Sequence, residues 1–295
     1  MTRVAAVDLG TNSTRLLIAD VEDGRVEEVV RRTVVTRLGE GVDVRRRLLP
    51  VPIARVRNAL ADFRLELESL GVERTLAVAT SAVRDAENGE AFLGEVEWSY
   101  GFATRLLSGD EEAELTRRGL GTLDQTTLVL DVGGGSTELI VGEFRSSLDV
   151  GSVRLTERYL HGDPPAAAEL DAAALEVRDL LPALAAQQAI GVAGTVAQLA
   201  LLAGTAELTL GEIEKLLGGL AALRLDERKR VPSLDPERAP VIVAGALIVR
   251  EVLRCYELPG LRFSVRDLLD GAALEAASLP ATAEGAAPPG AYTCC

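Results

Sequence analysis

Apolar positions in the first twenty residues fall in two runs, 3–8 and 15–20, either side of a glycine turn, which predicts a β-hairpin. "RVEEVVRRTVVTRL" predicts a third strand. The spacing then becomes helical. Across residues 50–71, Ile53, Val56, Leu60, Phe63, Leu67 and Leu70 share one face, and Gly71 marks the stop. Arg74 to Val83 predicts a buried strand. "RDAENGEAFLGEVEWSYG" predicts a helix, "FATRLLSG" a strand and "DEEAELTRRGLGTL" a helix. Strands alternating with helices argue for an α/β fold.

The pattern then restarts. "TTLVLDVGGGSTELIVGE" predicts a second hairpin, and "SSLDVGSVRLTERYL" a third strand running into a helix. "DAAALEVRDLLPALAAQ" reads as a helix, and "AIGVAGTVAQLALL" as strand, turn and helix. "TLGEIEKLLGGLAAL" and "APVIVAGALIVREVLRCYEL" are helical, "LRFSV" a strand and "DLLDGAALEAASL" a closing helix. An offset of 123 residues brings Asp8 onto Asp131, Gly10 onto Gly133, Ser13 onto Ser136, Thr14 onto Thr137 and Leu16 onto Leu139. Apolar residues match at 7/130, 9/132, 17/140 and 18/141. Two related halves are expected, residues 1–124 and 125–279, joined near 121–127. The proline-rich, small-residue stretch 280–295 has little to bury and is expected to be a mobile tail.

Composition narrows the function classes. The 295 residues are 47% hydrophobic and 26% charged, in the globular range. No apolar run is long enough to span a membrane, and the first residues carry no secretory signal pattern. Three cysteines, two of them adjacent at Cys294 and Cys295, do not make a disulfide framework, so a cytoplasmic setting is expected. The net charge of −14 argues against nucleic acid as a partner. The one histidine, His161 in "LHGDPP", reads as a surface loop residue and excludes multi-histidine metal centres.

The candidate chemistry lies in the paired turns "VDLGTNSTRLLIAD" and "LDVGGGSTELIVGE". In each, an aspartate ends a strand and glycine follows, then hydroxyl or amide side chains. Glycine lets backbone N–H groups converge on an anion, because no Cβ blocks the approach or forbids positive φ. Asn12, Ser13, Thr14, Ser136 and Thr137 add neutral donors. Asp8 and Asp131 cannot bind phosphate directly but suit a cation such as Mg²⁺, which takes one or two carboxylates with water and phosphate oxygens.

These turns resemble the two phosphate motifs of the actin/Hsp70/sugar-kinase superfamily and, more narrowly, those of the exopolyphosphatase/guanosine pentaphosphate phosphatase (Ppx/GppA) family. "RLGEGVD" at 37–43, "ATSAVRDAENG" at 79–89, "SGDEEAEL" at 108–115, "DVGSVRLTERYL" at 149–160 and "GVAGTVAQLA" at 191–200 extend the resemblance to about residue 279. It resembles the short, two-domain forms, without the histidine/aspartate-type helical domain of longer members. It implies two ribonuclease H-like (actin-like ATPase) domains with a cleft between them. The implied activity is Mg²⁺- or Mn²⁺-dependent removal of terminal phosphate from inorganic polyphosphate, processive or distributive, by a homodimer. Guanosine pentaphosphate 5′-phosphohydrolysis is the alternative that the motifs do not separate. A sugar-kinase-like phosphotransferase and a non-catalytic nucleotide-binding regulator are the readings from other classes.

The resemblance also implies roles. Glu112 is the carboxylate that deprotonates the attacking water, and Arg84 reaches the phosphate. Asp8, Asp131 and Glu138 are on the metal side. Gly10, Thr11, Asn12 and Ser13 form the first phosphate loop, and Gly133, Gly134, Gly135, Ser136 and Thr137 the second. Gly191, Gly194 and Thr195 belong to the loop that lies near adenosine in nucleotide-binding relatives. Each has a plainer reading. Glu112 sits with Asp110, Glu111 and Glu114, where acids complement a helix dipole. Arg84 has Asp85 and Glu87 beside it, and Glu138 reads as a strand-edge acid. Arg15 stands where the second turn has Glu138, which suggests a cationic first half and Arg15 touching phosphate. Arg31, Arg32, Arg37, Arg45, Arg46 and Arg47 suggest a basic track for a polyanion, against the alternative of arginines scattered on a solvated surface.

Overall fold

The computed structural model describes residues 1–280, so the expected tail from 281 onward, with Cys294 and Cys295, lies outside the described residues. Among the described residues the chain divides into two units, residues 1–120 together with 267–280, and residues 121–266.

The first unit opens with β1 (Thr2–Leu9), β2 (Ser13–Glu22) and β3 (Arg25–Val35). It continues through α1 (Val42–Arg45), α2 (Pro50–Ser69), β4 (Arg74–Ala79), α3 (Ser81–Arg84), α4 (Gly89–Tyr100), β5 (Ala103–Leu106) and α5 (Gly109–Leu120). The sheet order is β3-β2-β1-β4-β5. β1 runs antiparallel to β2 and parallel to β4, which is parallel to β5. Both faces of β1 are covered, so it reads as a nearly continuous apolar run. Ala5, Val7 and Leu9 pack with Phe63, Leu67 and Phe92, and Val4 and Ala6 with Leu115 and Leu269.

The second unit repeats this plan. It holds β6 (Thr127–Val132), β7 (Thr137–Val141), β8 (Phe144–Leu148), α6 (Ser152–Tyr159), α7 (Ala167–Leu180), β9 (Gln188–Val192) and α8 (Ala193–Ala203). β10 (Glu207–Thr209), α9 (Leu210–Ala221), α10 (Leu225–Arg228), α11 (Ile242–Cys255) and β11 (Gly260–Phe263) follow. Its sheet, β10-β11-β9-β6-β7-β8, has the order of the first read from the other end, with β10 added as a short edge strand. The register repeats as well: Asp8 pairs with Arg15 across β1 and β2, and Asp131 with Glu138 across β6 and β7. The 123-residue echo is therefore a repeat of structure.

The last element, α12 (Leu268–Ala276), differs from the sequence reading, which assigned everything from 125 to 279 to the second half. It packs in the first unit against α5 and the β1–β2–β4 face. Gly119 and Gly271 explain the fit. A Cβ at either would overlap backbone of the other helix, at Asp267 and Leu115 respectively, so the two helices meet at backbone distance. Strand prediction also overran at 80–83, where Thr80 leads into α3. His161 is exposed, as expected. No helix among the described residues is long and apolar enough to cross a membrane.

Candidate active site

Each glycine turn is closed by one hydrogen bond of the same kind: Gly10 N–H to Ser13 O at 3.1 Å, and Gly133 N–H to Ser136 O at 3.0 Å. A Cβ at Gly10 or Gly133 would press on that acceptor at 2.9 or 3.0 Å. Neither residue has positive φ, so glycine is needed here for close approach and not for a left-handed backbone.

The carbonyls of both turns are tied down. In the first, Thr11 O accepts from Gly39 N at 2.8 Å, and Asn12 O from Thr36 N and Arg37 N. In the second, Gly133 O accepts from Ser152 N, and Gly134 O from Val153 N and Arg154 N. The latter are the opening N–H groups of α6, which have no partner within their own helix. In a trans peptide the next N–H points opposite to the carbonyl. The N–H groups of Gly134 and Gly135 therefore point away from α6, and among the described residues they have no protein acceptor. Convergent outward N–H groups form an anion nest. Gly151 keeps the geometry tight, since a Cβ there would come within 2.5 Å of the Gly134 backbone.

Not every hydroxyl faces the turn's open side. Thr137 is fully buried and donates to Val150 O at 2.6 Å, so its group belongs to the frame. Its counterpart Thr14 is equally buried against Thr36, at 2.9 Å. Thr195 donates to Val132 O at 2.9 Å, which anchors α8 at the base of the second turn. Gly194 leaves room for the Arg238 guanidinium, and Gly191 for Val196 and Leu261. Thr11 Oγ1 lies 3.2 Å from Ser81 Oγ, which joins the first turn to α3.

The first turn is a carboxylate–guanidinium cluster. Arg15 Nε and Nη2 each reach Asp8 Oδ2 at 2.8 Å, and Nη1 donates to Asp267 Oδ2. Asp267 caps α12 by accepting from Leu269 N. Arg31 binds Asp270 at 2.9 Å and also approaches Asp267 and Glu28. Arg15 is thus held by two acids, and the expectation that it touches phosphate gives way to this arrangement. Burial pushes the Asp8 carboxyl above its ordinary range against the pull of Arg15, and Asp270 is raised by burial against the pull of Arg31. Asp8 Oδ1 and Asn12 Nδ2 are buried without hydrogen-bond partners. An orphan acceptor and an orphan donor in one turn suit a cation and an anion oxygen. Sequence reasoning missed Asp267, Asp270 and Arg238. The D-x-x-D spacing at the start of "DLLDGAAL" is a capping signature that could have marked the first two.

The four acids of α5 separate, with Asp110 exposed to solvent. Glu111 accepts from Ser108 N at 2.8 Å while Ser108 Oγ accepts from Glu111 N, which makes a capping box. The Ser108 N–H and the Arg105 guanidinium hold Glu111 down to about 2. Glu114 pairs with Arg117 one turn along. Glu112 points inward, 5% exposed, where Arg84 Nη1 reaches its Oε1 at 2.5 Å and Leu107 O at 2.6 Å. Dipole complementation accounts for Glu111 and does not require Glu112 to be buried. Because folding lowers the Glu111 pKa, its contribution is present above about pH 4.5 and is lost as pH falls toward 2. Glu111→Gln is expected to lose that acid-limb stability, by under ~1 kcal/mol because the group is 41% exposed. Urea melts at pH 7 and pH 3 would read it, and equal losses at the two pH values would contradict it.

In the second unit Asp131 and Glu138 are directly opposed on β6 and β7, and 7% and 3% exposed. Glu138 Oε1 also accepts from Ser147 Oγ at 2.8 Å. Facing residues of an antiparallel pair lie ~4.5–5.5 Å apart at Cβ, and like charges there repel. Such a pair fits a divalent cation. No group of three or more metal-ligating side chains is preassembled among the described residues. Mg²⁺ binds through one or two carboxylates, with water and phosphate completing its shell.

The sequence model of the Ppx/GppA phosphatase family matches residues 17–277. This chain belongs to that family. It is 40% identical to exopolyphosphatase 2 of Mycobacterium tuberculosis, over 94% of this chain and 99% of that one. It is 30% identical to exopolyphosphatase 1 of Mycobacterium bovis, over 97% and 90%. Among crystal structures, an exopolyphosphatase-like protein superposes with a TM-score of 0.86 at 31% identity, over 93% of this chain and 97% of that one. The Aquifex aeolicus Ppx/GppA family member gives 0.74 at 29%, over the same shares. The duplicated sheets with their turns at Gly10 and Gly133 are thus a Ppx/GppA scaffold.

Proposed function

We propose that this Ppx/GppA protein is an exopolyphosphatase, a phosphoric anhydride hydrolase that removes the terminal phosphate of inorganic polyphosphate. The observation that carries the reading is Glu112, a buried carboxylate gripped by Arg84 at the start of a helix where Glu111 caps and Glu114 pairs with Arg117. The exopolyphosphatases named above, at 40% and 30% identity, support the substrate class.

In this mechanism Glu112 takes a proton from water as the water oxygen bonds to the terminal phosphorus. The bridging P–O bond breaks, and the shortened chain leaves as an oxyanion. In the second unit the Gly134 and Gly135 N–H groups offer donors for phosphate oxygens, and in the first unit the Asn12 amide offers another. Arg84 orients Glu112 and reaches toward the phosphate. Such positioning and charge stabilisation supply most of phosphoryl-transfer catalysis. Asp131 and Glu138 would hold Mg²⁺, or Mn²⁺ in its place, which supplies charge neutralisation on the phosphate.

The test is orthophosphate release from tripolyphosphate, long-chain polyphosphate, guanosine pentaphosphate and ATP, with Mg²⁺, Mn²⁺ or a chelator. Metal-dependent release with the highest kcat/KM on polyphosphate is expected. A higher kcat/KM on guanosine pentaphosphate would replace the polyphosphate reading. No release from any substrate would favour a non-catalytic regulator.

A further inference from the structure

Among the arginines of the first unit, ion pairing is widespread. Arg3 binds Asp20, Arg32 Glu66, Arg55 Glu40, Arg57 Glu95 and Arg64 Glu68, in addition to the pairs of Arg15, Arg31, Arg84, Arg105 and Arg117. Arg31 and Arg32 are therefore neutralised and leave the basic track expected from the sequence. Arg45, Arg46 and Arg47 are all exposed and none forms an ion pair; exposed Arg25 also lacks one but stands alone, whereas these three are consecutive. In a chain of net charge −14, three adjacent uncompensated cations repel one another with nothing in the fold to gain from it.

Their place is fixed from two sides. Upstream, Gly39 packs against Thr11 of the first turn and against Ala82 of α3, so closely that a Cβ would overlap Thr11. The backbone then runs through α1, with Val42 N–H on Gly39 O and Arg46 N–H on Val42 O. Downstream, Arg46 O accepts from Glu87 N at 2.8 Å. Leu48 exchanges two hydrogen bonds with the Asn88 side chain, at 2.8 and 3.1 Å. Glu87 is three residues from Arg84, at most ~11 Å along an extended chain. Arg46 is held at φ 52, a left-handed conformation that non-glycine residues rarely adopt. The segment is therefore clamped between the first turn and the arginine that grips Glu112.

We propose that Arg45, Arg46 and Arg47 form a subsite for the distal phosphates of a long polyphosphate chain and so set its chain-length preference. The proposal rests on the polyphosphate reading above. A tripolyphosphate has only two phosphates beyond the one released, whereas a long chain carries one negative charge per phosphate onward to such a subsite. The arginines then contribute affinity and faster association for long chains, both weakened by salt.

The experiment compares kcat/KM on long-chain polyphosphate with that on tripolyphosphate for the wild type and Arg45→Gln/Arg46→Gln/Arg47→Gln. The long-to-short ratio is expected to fall by ~10-fold, and the salt dependence on long chains to flatten. Arg224→Gln/Lys229→Gln/Arg230→Gln removes the same charge from exposed positions of the second unit and is expected to keep the wild-type ratio. If the triple variant misfolds at the left-handed residue 46, Arg45→Gln/Arg47→Gln replaces it, with a smaller fall in the same ratio. An unchanged ratio in the folded variant, or an equal fall in the control, would overturn the proposal. If the wild type releases phosphate from neither substrate, it is the functional reading that fails. Equilibrium binding of long-chain polyphosphate to wild type and variant then decides the subsite, and equal affinities would sink it.

Discussion

Glu112→Gln is expected to lower kcat on polyphosphate by about 10²–10⁴-fold with little change in KM, the loss typical of removing a general base. Glutamine has nearly the same shape and keeps an oxygen to accept the Arg84 N–H, so the pocket stays filled. It cannot take the proton of the attacking water. The substitution also leaves Arg84 without its partner charge. Because Arg84 is 28% exposed, the stability cost is about 1–2 kcal/mol, well short of that for a fully buried pair. Thermal melts separate this cost from the catalytic one. Glu111→Gln and Glu114→Gln serve as internal comparisons, since Glu111 caps α5 and Glu114 pairs with Arg117. If the acids of α5 served only the helix dipole, the three variants would lose activity to similar, small extents. A Glu112→Gln protein with wild-type kcat would end the general-base assignment.

The structure explains why Glu112 stands out only in three dimensions. In the sequence it is one of four acids within five positions, and nothing in "GDEEAE" says which of them faces inward. The helical repeat decides that, together with Ser108, whose cap claims Glu111 and so sets the phase of the turn. The hairpin repeat was fully legible, because a strand pair fixes its own register from local residues. Asp8 opposite Arg15 and Asp131 opposite Glu138 follow from turn length alone. Long-range ion pairs had no such signal. Arg31 meets Asp270 across 239 residues, and Arg15 meets Asp267 across 252. The same blindness sent α12 to the wrong half. Its apolar pattern shows that one face is buried but not against which sheet, and Gly119 and Gly271 take their meaning only from each other. The glycines of the turns were singled out for close approach or positive φ, and Gly10 and Gly133 answer crowding alone.

Asp131→Asn is expected to reduce kcat/KM by about 10–100-fold at fixed Mg²⁺ and to raise the Mg²⁺ concentration needed for half-maximal activity by a similar factor. The expected size is that of losing an important metal partner. The two hairpins differ at one register position. In the second, Asp131 lies opposite another carboxylate, Glu138, and both are almost completely buried. Two carboxylates facing one another in that position suit a divalent cation. In the first, Asp8 lies opposite Arg15, which already occupies Oδ2 and leaves only Oδ1 for any other cation. Asp8→Asn should therefore lower activity with a smaller shift in metal requirement than Asp131→Asn. Metal titrations of activity for the wild type and both variants, with direct Mn²⁺ binding as a second readout, would measure the contrast. Equal shifts in the two variants would assign the cation to both hairpins. No shift in Asp131→Asn would remove the second hairpin as its seat.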